Sequence, residues 1–184
     1  MLKRIETSLA GVCELRPQAF RDARGFFLEA FHQKKYAEVG ITDSFVQDNH
    51  SFSTKGTLRG LHYQLAHPQA KLCRVVQGEA LDVAVDIRWG SPTFGKWESV
   101  LLSAEALNQI YVPAGFAHGF LVLSEVVQFL YKCSDFYDSK DEHGIAWNDP
   151  AIDITWGISG PVLSPRDAAF PRLADVPPAS LPRY

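Results

Sequence analysis

Cysteine is scarce in this chain and methionine scarcer, with three of the first and one of the second in 184 residues. Cys13, Cys73 and Cys133 are odd in number, lie far apart and form no C-x-x-C pair. That excludes a disulfide scaffold and a thiolate zinc ribbon, and it suits a reducing cytosol. No apolar run approaches the roughly 20 residues needed to cross a bilayer. The opening MLKRIETSLAGVCELRP meets charge before any apolar h-region can form. The expectation is therefore a cytoplasmic protein, neither secreted nor membrane-embedded. Charge of one sign is lacking too: 18 basic against 21 acidic residues give a formal net charge of -3. Without a broad positive field, nucleic acid is not an expected partner. The absence of repeats and low-complexity tracts excludes solenoids and arrays.

What is present is an ordinary soluble composition, 46% hydrophobic and 21% charged, in a chain long enough for one well-filled core but not for two. A single domain over residues 1–184 is expected. Glycines recur between short apolar stretches, the spacing of a many-stranded β fold joined by turns. The clearest strand is 80–87, where Leu81, Val83, Val85 and Ile87 alternate with Ala80, Asp82, Ala84 and Asp86, the period of a half-buried strand. Others are predicted at 26–31, 58–64, 71–77, 99–102, 109–112, 119–123 and 126–133. About eight strands is typical of a jelly roll or small barrel. Residues 33–39, followed by Gly40, predict a short helix, and a second is predicted after Pro165. Six of the eleven prolines fall from Pro161 onward, so residues 161–184 are read as an irregular arm lying over the domain.

Polar residues interrupt otherwise apolar strands at LRGLHYQ (58–64), PAGFAHGF (113–120) and FLYK (129–132). In a barrel, inward positions of different strands face one another, so His62, His118 and Tyr131 can share a cavity. Each also has a plain structural alternative, as a hydrogen-bonded strand histidine or a core tyrosine. The P-x-G-x-x-H stretch at 113–118 resembles the second motif of the cupin superfamily, which implies an all-β, double-sheet jelly roll with a few short peripheral helices. Many cupins hold a metal with a His-x-His pair, a glutamate and the later histidine. Here the pair is His62 and Gln64 and no glutamate follows closely, so the resemblance implies a metal-free member with no cofactor.

Six strings in order, DARGFF (22–27), FVQDNHS (45–51), LRGLHYQ, SPTFGKW (91–97), PAGFAHGF and WNDP (147–150), resemble those of the dTDP-4-dehydrorhamnose 3,5-epimerase family over residues 3–173. The resemblance implies inversion of the two carbons flanking the ketone of dTDP-4-keto-6-deoxy-D-glucose, giving dTDP-4-keto-L-rhamnose. Such chemistry asks for a base, a donor that stabilises the enolate oxygen, and an acid that returns a proton to the opposite face. By the same resemblance His62 is the base, Tyr131 the acid, Asp167 the carboxylate that orients the histidine, and Lys71 the cation beside the keto oxygen. Arg24 and Arg59 grip the diphosphate; Glu29, Gln47, Asn49 and His118 touch substrate; Tyr137 stacks on thymine; Glu142 and Arg166 lie near the nucleotide. Arg166 departs from the lysine of many relatives, and Phe20 and Phe27 are further candidates for the pocket wall. The family's N-terminal segment reaches over a neighbouring subunit, so the resemblance also implies a homodimer.

Arg59 and His62 are three residues apart and would point to opposite faces of a regular strand. A bulge or kink near Gly60 is therefore expected. The alternatives are a single-carbon epimerase of a related dTDP-keto-sugar, a metal-dependent cupin enzyme, and a non-catalytic nucleotide-sugar binding module.

Overall fold

Thirteen strands and one α-helix make up the regular structure in the computed structural model, which describes residues 1–184. Strands β1 (Lys3–Glu6), β2 (Cys13–Arg16), β3 (Ala19–Asp22) and β4 (Gly25–Leu28) precede helix α1 (Gln33–Glu38). Then follow β5 (Gln47–Thr54), β6 (Leu58–Gln64), β7 (Lys71–Gln77), β8 (Glu79–Asp86) and β9 (Trp97–Ser103). The series ends with β10 (Gln109–Val112), β11 (Phe116–Val122), β12 (Val126–Cys133) and β13 (Glu142–Gly144). All paired strands run antiparallel, in a six-stranded sheet ordered β1-β2-β10-β7-β12-β5 and a five-stranded sheet ordered β13-β6-β11-β8-β9. Two facing antiparallel sheets of this kind are the all-β, cupin-type jelly roll expected from the sequence. No helix is long and apolar enough to cross a membrane.

The core sits between the sheets. Cys73, Val75, Ile110, Val112, Val127 and Phe129 from one pack against Ala80, Ala84, Val100, Leu102, Phe116, Phe120 and Val122 from the other. Phe120 and Phe129 stack across the gap, ring centroids 4.0 Å apart. Each sheet is also covered on its outer face. Residues of α1 and the following loop, Tyr36 and Ile41, cover Cys13, Leu15, Leu72 and Tyr111. Ile145, Ile152, Trp156, Leu173 and Leu181 cover Leu61, Val83, Val85 and Leu121.

That second cover corrects the half-buried reading of 80–87. Asp82 and Asp86 do not face water; both are fully buried, on the same face as Ala80 and Ala84, which packs between the sheets, while residues from the last third of the chain cover Val83, Val85 and Ile87 on the other face. The strand predicted at 26–31 ends at Leu28 instead, as the second arm of a separate β3–β4 hairpin. The helix predicted at 33–39 is present within one residue, and Gly40 follows it at φ +86°. The helix expected after Pro165 is a single 3-10 turn at Asp167–Ala169, and two more such turns lie in the proline-rich stretch.

Candidate active site

The expected irregularity near Gly60 is a β-bulge. Where β6 pairs with β11, His62 stands opposite His118 and Arg59 opposite Phe120, so three steps along one strand match two along the other. The extra residue turns Arg59 and His62 to the same side. Glycine is obligatory there: at Gly60, φ is +112° and a Cβ would lie 2.6 Å from both Gly119 Cα and His118 O. Gly119 meets the same limit from the other strand, 2.6 Å from Arg59 O.

A cavity of about 420 Å³ opens between the sheets at this bulge. It collects eleven of the thirteen residues singled out from the sequence: His62, Tyr131, Asp167, Lys71, Gln47, Asn49, Arg59, His118, Tyr137, Glu142 and Arg166. The other two, Arg24 and Glu29, line different surfaces of the chain. Arg24 is at the tip of the β3–β4 hairpin, paired with Asp22 at 2.6 Å, and Glu29 pairs with Lys35. Phe20 and Phe27 belong to the same hairpin and are exposed, so none of these four reaches the cavity of its own chain.

His62 Nε2–H donates to Asp167 Oδ1 at 2.6 Å. A carboxylate can only accept, so this bond fixes a proton on Nε2, and in the neutral ring Nδ1 is the nitrogen that carries the lone pair. Burial pushes the Asp167 carboxyl up, but the bonds it accepts from His62, Ser164 and Gly60, with the attraction of the His62 ring when that is protonated, hold it below the usual range. It is therefore ionised at neutral pH. Phe170, three residues on, sets its ring edge-on to His62 with centroids 5.6 Å apart. The same ring lies against Gly144, which pairs with His62 across β13 and where a Cβ would come within 2.4 Å of Phe170.

A second pair stands beside the first. His118 Nε2–H donates to Asp82 Oδ1 at 2.8 Å. The sequence reading missed Asp82 because its alternation was read as a wet face. The available signal was the pair of alanines, Ala80 and Ala84, sharing that face, since small residues mark close packing and not solvent. Cys133, Ser51 and Gln69 also line the cavity without having been anticipated.

Tyr131 projects from β12 into the cavity, and burial raises its phenol far above the ordinary value, with nearby Cys133, Cys73 and Glu142 adding to the shift. It stays a proton donor. Lys71 from β7 is buried at 9% exposure and lines the same space. Arg59 Nε donates to Ser53 Oγ at 2.9 Å, which aims the guanidinium from below. At the rim Glu142 ion-pairs with Arg166 and accepts a hydrogen bond from Tyr137 OH at 2.9 Å. Its Oε1 is 3.8 Å from His62 Nδ1.

The cupin metal set does not fit this geometry. His62 spends Nε2 on Asp167, and the Gln64 amide is already engaged, donating to His67 O and Phe136 O and accepting from Asp138 N.

Residues 6–175 match the family model described as dTDP-4-dehydrorhamnose 3,5-epimerase. The dTDP-4-dehydrorhamnose 3,5-epimerase of Neisseria gonorrhoeae is 52% identical over 90% of this chain, which spans about half (51%) of that relative's length. The crystal structure of dTDP-6-deoxy-D-glucose-3,5-epimerase from Legionella pneumophila, in complex with dTDP-4-keto-L-rhamnose, is 49% identical with a TM-score of 0.97, covering 100% of this chain and 99% of that one. A 3'-monoepimerase from Streptomyces bikiniensis, in complex with dTDP-quinovose, is 36% identical with a TM-score of 0.92, covering 98% and 93%. The bulged strand, the paired histidine and aspartate, and these matches over nearly the whole length agree: the chain belongs to the dTDP-4-dehydrorhamnose 3,5-epimerase family.

Proposed function

We propose that this chain inverts C3 and C5 of dTDP-4-keto-6-deoxy-D-glucose to give dTDP-4-keto-L-rhamnose through enolate intermediates, in dTDP-L-rhamnose biosynthesis. The observation that carries the reading is the meeting, in one cavity, of a free imidazole nitrogen backed by a carboxylate, a neutral phenol and a buried ammonium. A carbon next to a ketone loses its proton to His62 Nδ1, and the C–H electron pair moves into the carbonyl to leave an enolate on O4. The Lys71 ammonium stabilises that negative charge. Tyr131 then gives its proton to the opposite face of the same carbon, and the ketone re-forms. A phenol that burial keeps protonated suits that role. Asp167 holds the imidazole tautomer and stabilises the imidazolium while it exists.

Arg59 takes the diphosphate, for which a planar guanidinium is well shaped. Tyr137 offers its face to thymine, while Gln47, Asn49, His118, Glu142 and Arg166 meet the remaining polar edges. Enolisation beside an existing ketone involves no net redox change, and the donors present do not make the cupin metal set. Both support a metal- and cofactor-independent enzyme. The chain acts as a single folded unit, its arm 161–184 supplying Asp167, and its three free thiols suit the cytoplasm.

The exposed phenylalanines and Arg24 of the hairpin support a homodimer in which this hairpin completes the partner's cavity, since Arg24 has no role within its own chain's cavity. A single-carbon epimerisation is the second reading, favoured by the close likeness in fold to a 3'-monoepimerase. Incubating the protein with dTDP-4-keto-6-deoxy-D-glucose in D₂O tests the proposal. Deuterium at both C3 and C5 is the expected result, deuterium at one carbon selects the second reading, and none refutes epimerisation of this substrate.

A further inference from the structure

Between the two sheets, next to the cavity, three side chains from three strands converge without a use in the reaction for all of them. Cys73 comes from β7 in one sheet, Asp82 and His118 from β8 and β11 in the other. His118 Nε2 lies 2.8 Å from Asp82 Oδ1 and 3.7 Å from Cys73 Sγ, and one donor atom from each residue falls within 4.8 Å of the others. Asp82 is fully buried, yet its second oxygen, Oδ2, has no hydrogen-bond partner at all. A buried carboxylate oxygen without a partner is a cost the fold leaves uncompensated.

We propose that Cys73, Asp82 and His118 form a buried site for a thiophilic divalent cation of the zinc class, and that filling it slows epimerisation. The donor set is one sulfur, one imidazole nitrogen and one carboxylate oxygen, the mixture that borderline-soft Zn²⁺ accepts. Donors at Zn²⁺ bond lengths stand about 3.3–3.8 Å apart around a tetrahedral ion. The 3.7 Å between His118 Nε2 and Cys73 Sγ is in that range. Thiolate and carboxylate together neutralise the dication, so the filled site carries no net charge into the core.

On binding, the thiol proton of Cys73 leaves to solvent and Sγ takes the metal. The proton on His118 Nε2 is replaced by the metal as well, and the ring carries its proton on Nδ1 instead. Asp82 shifts from hydrogen-bond acceptor to ligand through its unused Oδ2. His118 thereby loses the bond that orients it and turns its other nitrogen from acceptor to donor. Since His118 lines the substrate cavity, the ion acts as an inhibitor.

Cobalt(II) is the probe, because a thiolate ligand gives it an intense charge-transfer band and a tetrahedral site gives strong visible bands. Titration of the full chain with Co²⁺ at neutral pH is expected to show both, saturating at one ion per chain, releasing about one proton, and reversing with Zn²⁺. Cys73→Ser and Cys73→Ala abolish the charge-transfer band, while Cys133→Ser keeps it. No band in the unaltered protein, or the same band in both Cys73 variants, overturns the site. The inhibitory part is read separately: Zn²⁺ slows turnover of the unaltered enzyme, and the Cys73 variants, with turnover retained, need at least tenfold more Zn²⁺ for the same effect. Equal sensitivity overturns the inhibition, and chelation of the nucleotide by Zn²⁺ is common to all the proteins compared. The spectroscopic result stands or falls independently of the epimerase reading.

Discussion

Asp167→Asn isolates the pairing on which the proposed base, His62, depends. The side chain keeps its shape, and Asp167 N–H still bonds Ser164 Oγ at 3.0 Å, so the 3-10 turn is kept. What disappears is the negative charge 2.6 Å from His62 Nε2. Two charges about 4 Å apart at an effective dielectric near 20 interact by roughly 4 kcal/mol. The carboxylate exerts that full attraction only after His62 has taken the substrate's proton, so it belongs to the transition state and not to bound substrate. At 1.36 kcal/mol per power of ten, the loss is about 10³-fold in kcat with KM nearly unchanged. The amide adds to the effect in the same direction: its N–H can donate to Nε2, which would hold the ring proton on Nδ1 and leave no free base. Steady-state kinetics, with calorimetric binding of dTDP as the control for an intact cavity, checks this. Turnover within about threefold of the unaltered enzyme, with normal dTDP binding, would refute the assignment and reduce Asp167 to a tether for its turn.

Asp86 is a structural counterpart: burial pushes its carboxyl up, but hydrogen bonds from Arg88, Ser91 and Thr93 outweigh that and bring it down to about 2. Because the folded value lies below the unfolded one, the linked stabilisation of about 2 kcal/mol is complete above about pH 4 and vanishes as pH falls through about 2. Asp86→Asn should therefore lower the melting temperature at pH 7 and leave little difference by pH 2; a gap that stays constant across that range counts against the linkage. For the proposed homodimer, mixing and re-equilibrating inactive His62→Asn with inactive Arg24→Ala should restore about a quarter of the activity, since half the dimers are mixed and each has one intact site. No recovery, with mixed dimers shown by mass spectrometry, means that the hairpin does not serve the partner.

How much of this was legible depended on what each strand faces. Strands 58–64, 71–77, 109–112 and 126–133 coincide with β6, β7, β10 and β12, because each carries buried apolar side chains on at least one face and turns bound them. β5 carries the sequence QDNHSFST and has no apolar alternation to find. Its inward positions Gln47, Asn49 and Ser51 line the cavity, and Ser53 supports Arg59, so water and ligand take the place of core. The pattern fails on that strand because the strand belongs to the site. Asp82 was hidden for the opposite reason: residues from the last third of the chain cover the five-stranded sheet, so alternation along β8 no longer separates core from solvent. Three-residue spacing, by contrast, exposed the bulge, because Arg59 and His62 cannot share a face of a straight strand and the glycines at 60 and 119 are what let the backbone yield. Arg24 and Glu29 mark where reasoning on one chain stops. Their residue types fit a substrate contact, but the hairpin that carries Arg24 makes its ladder only within itself, and a side chain proposed to act in a neighbour's cavity would leave no periodicity in its own sequence.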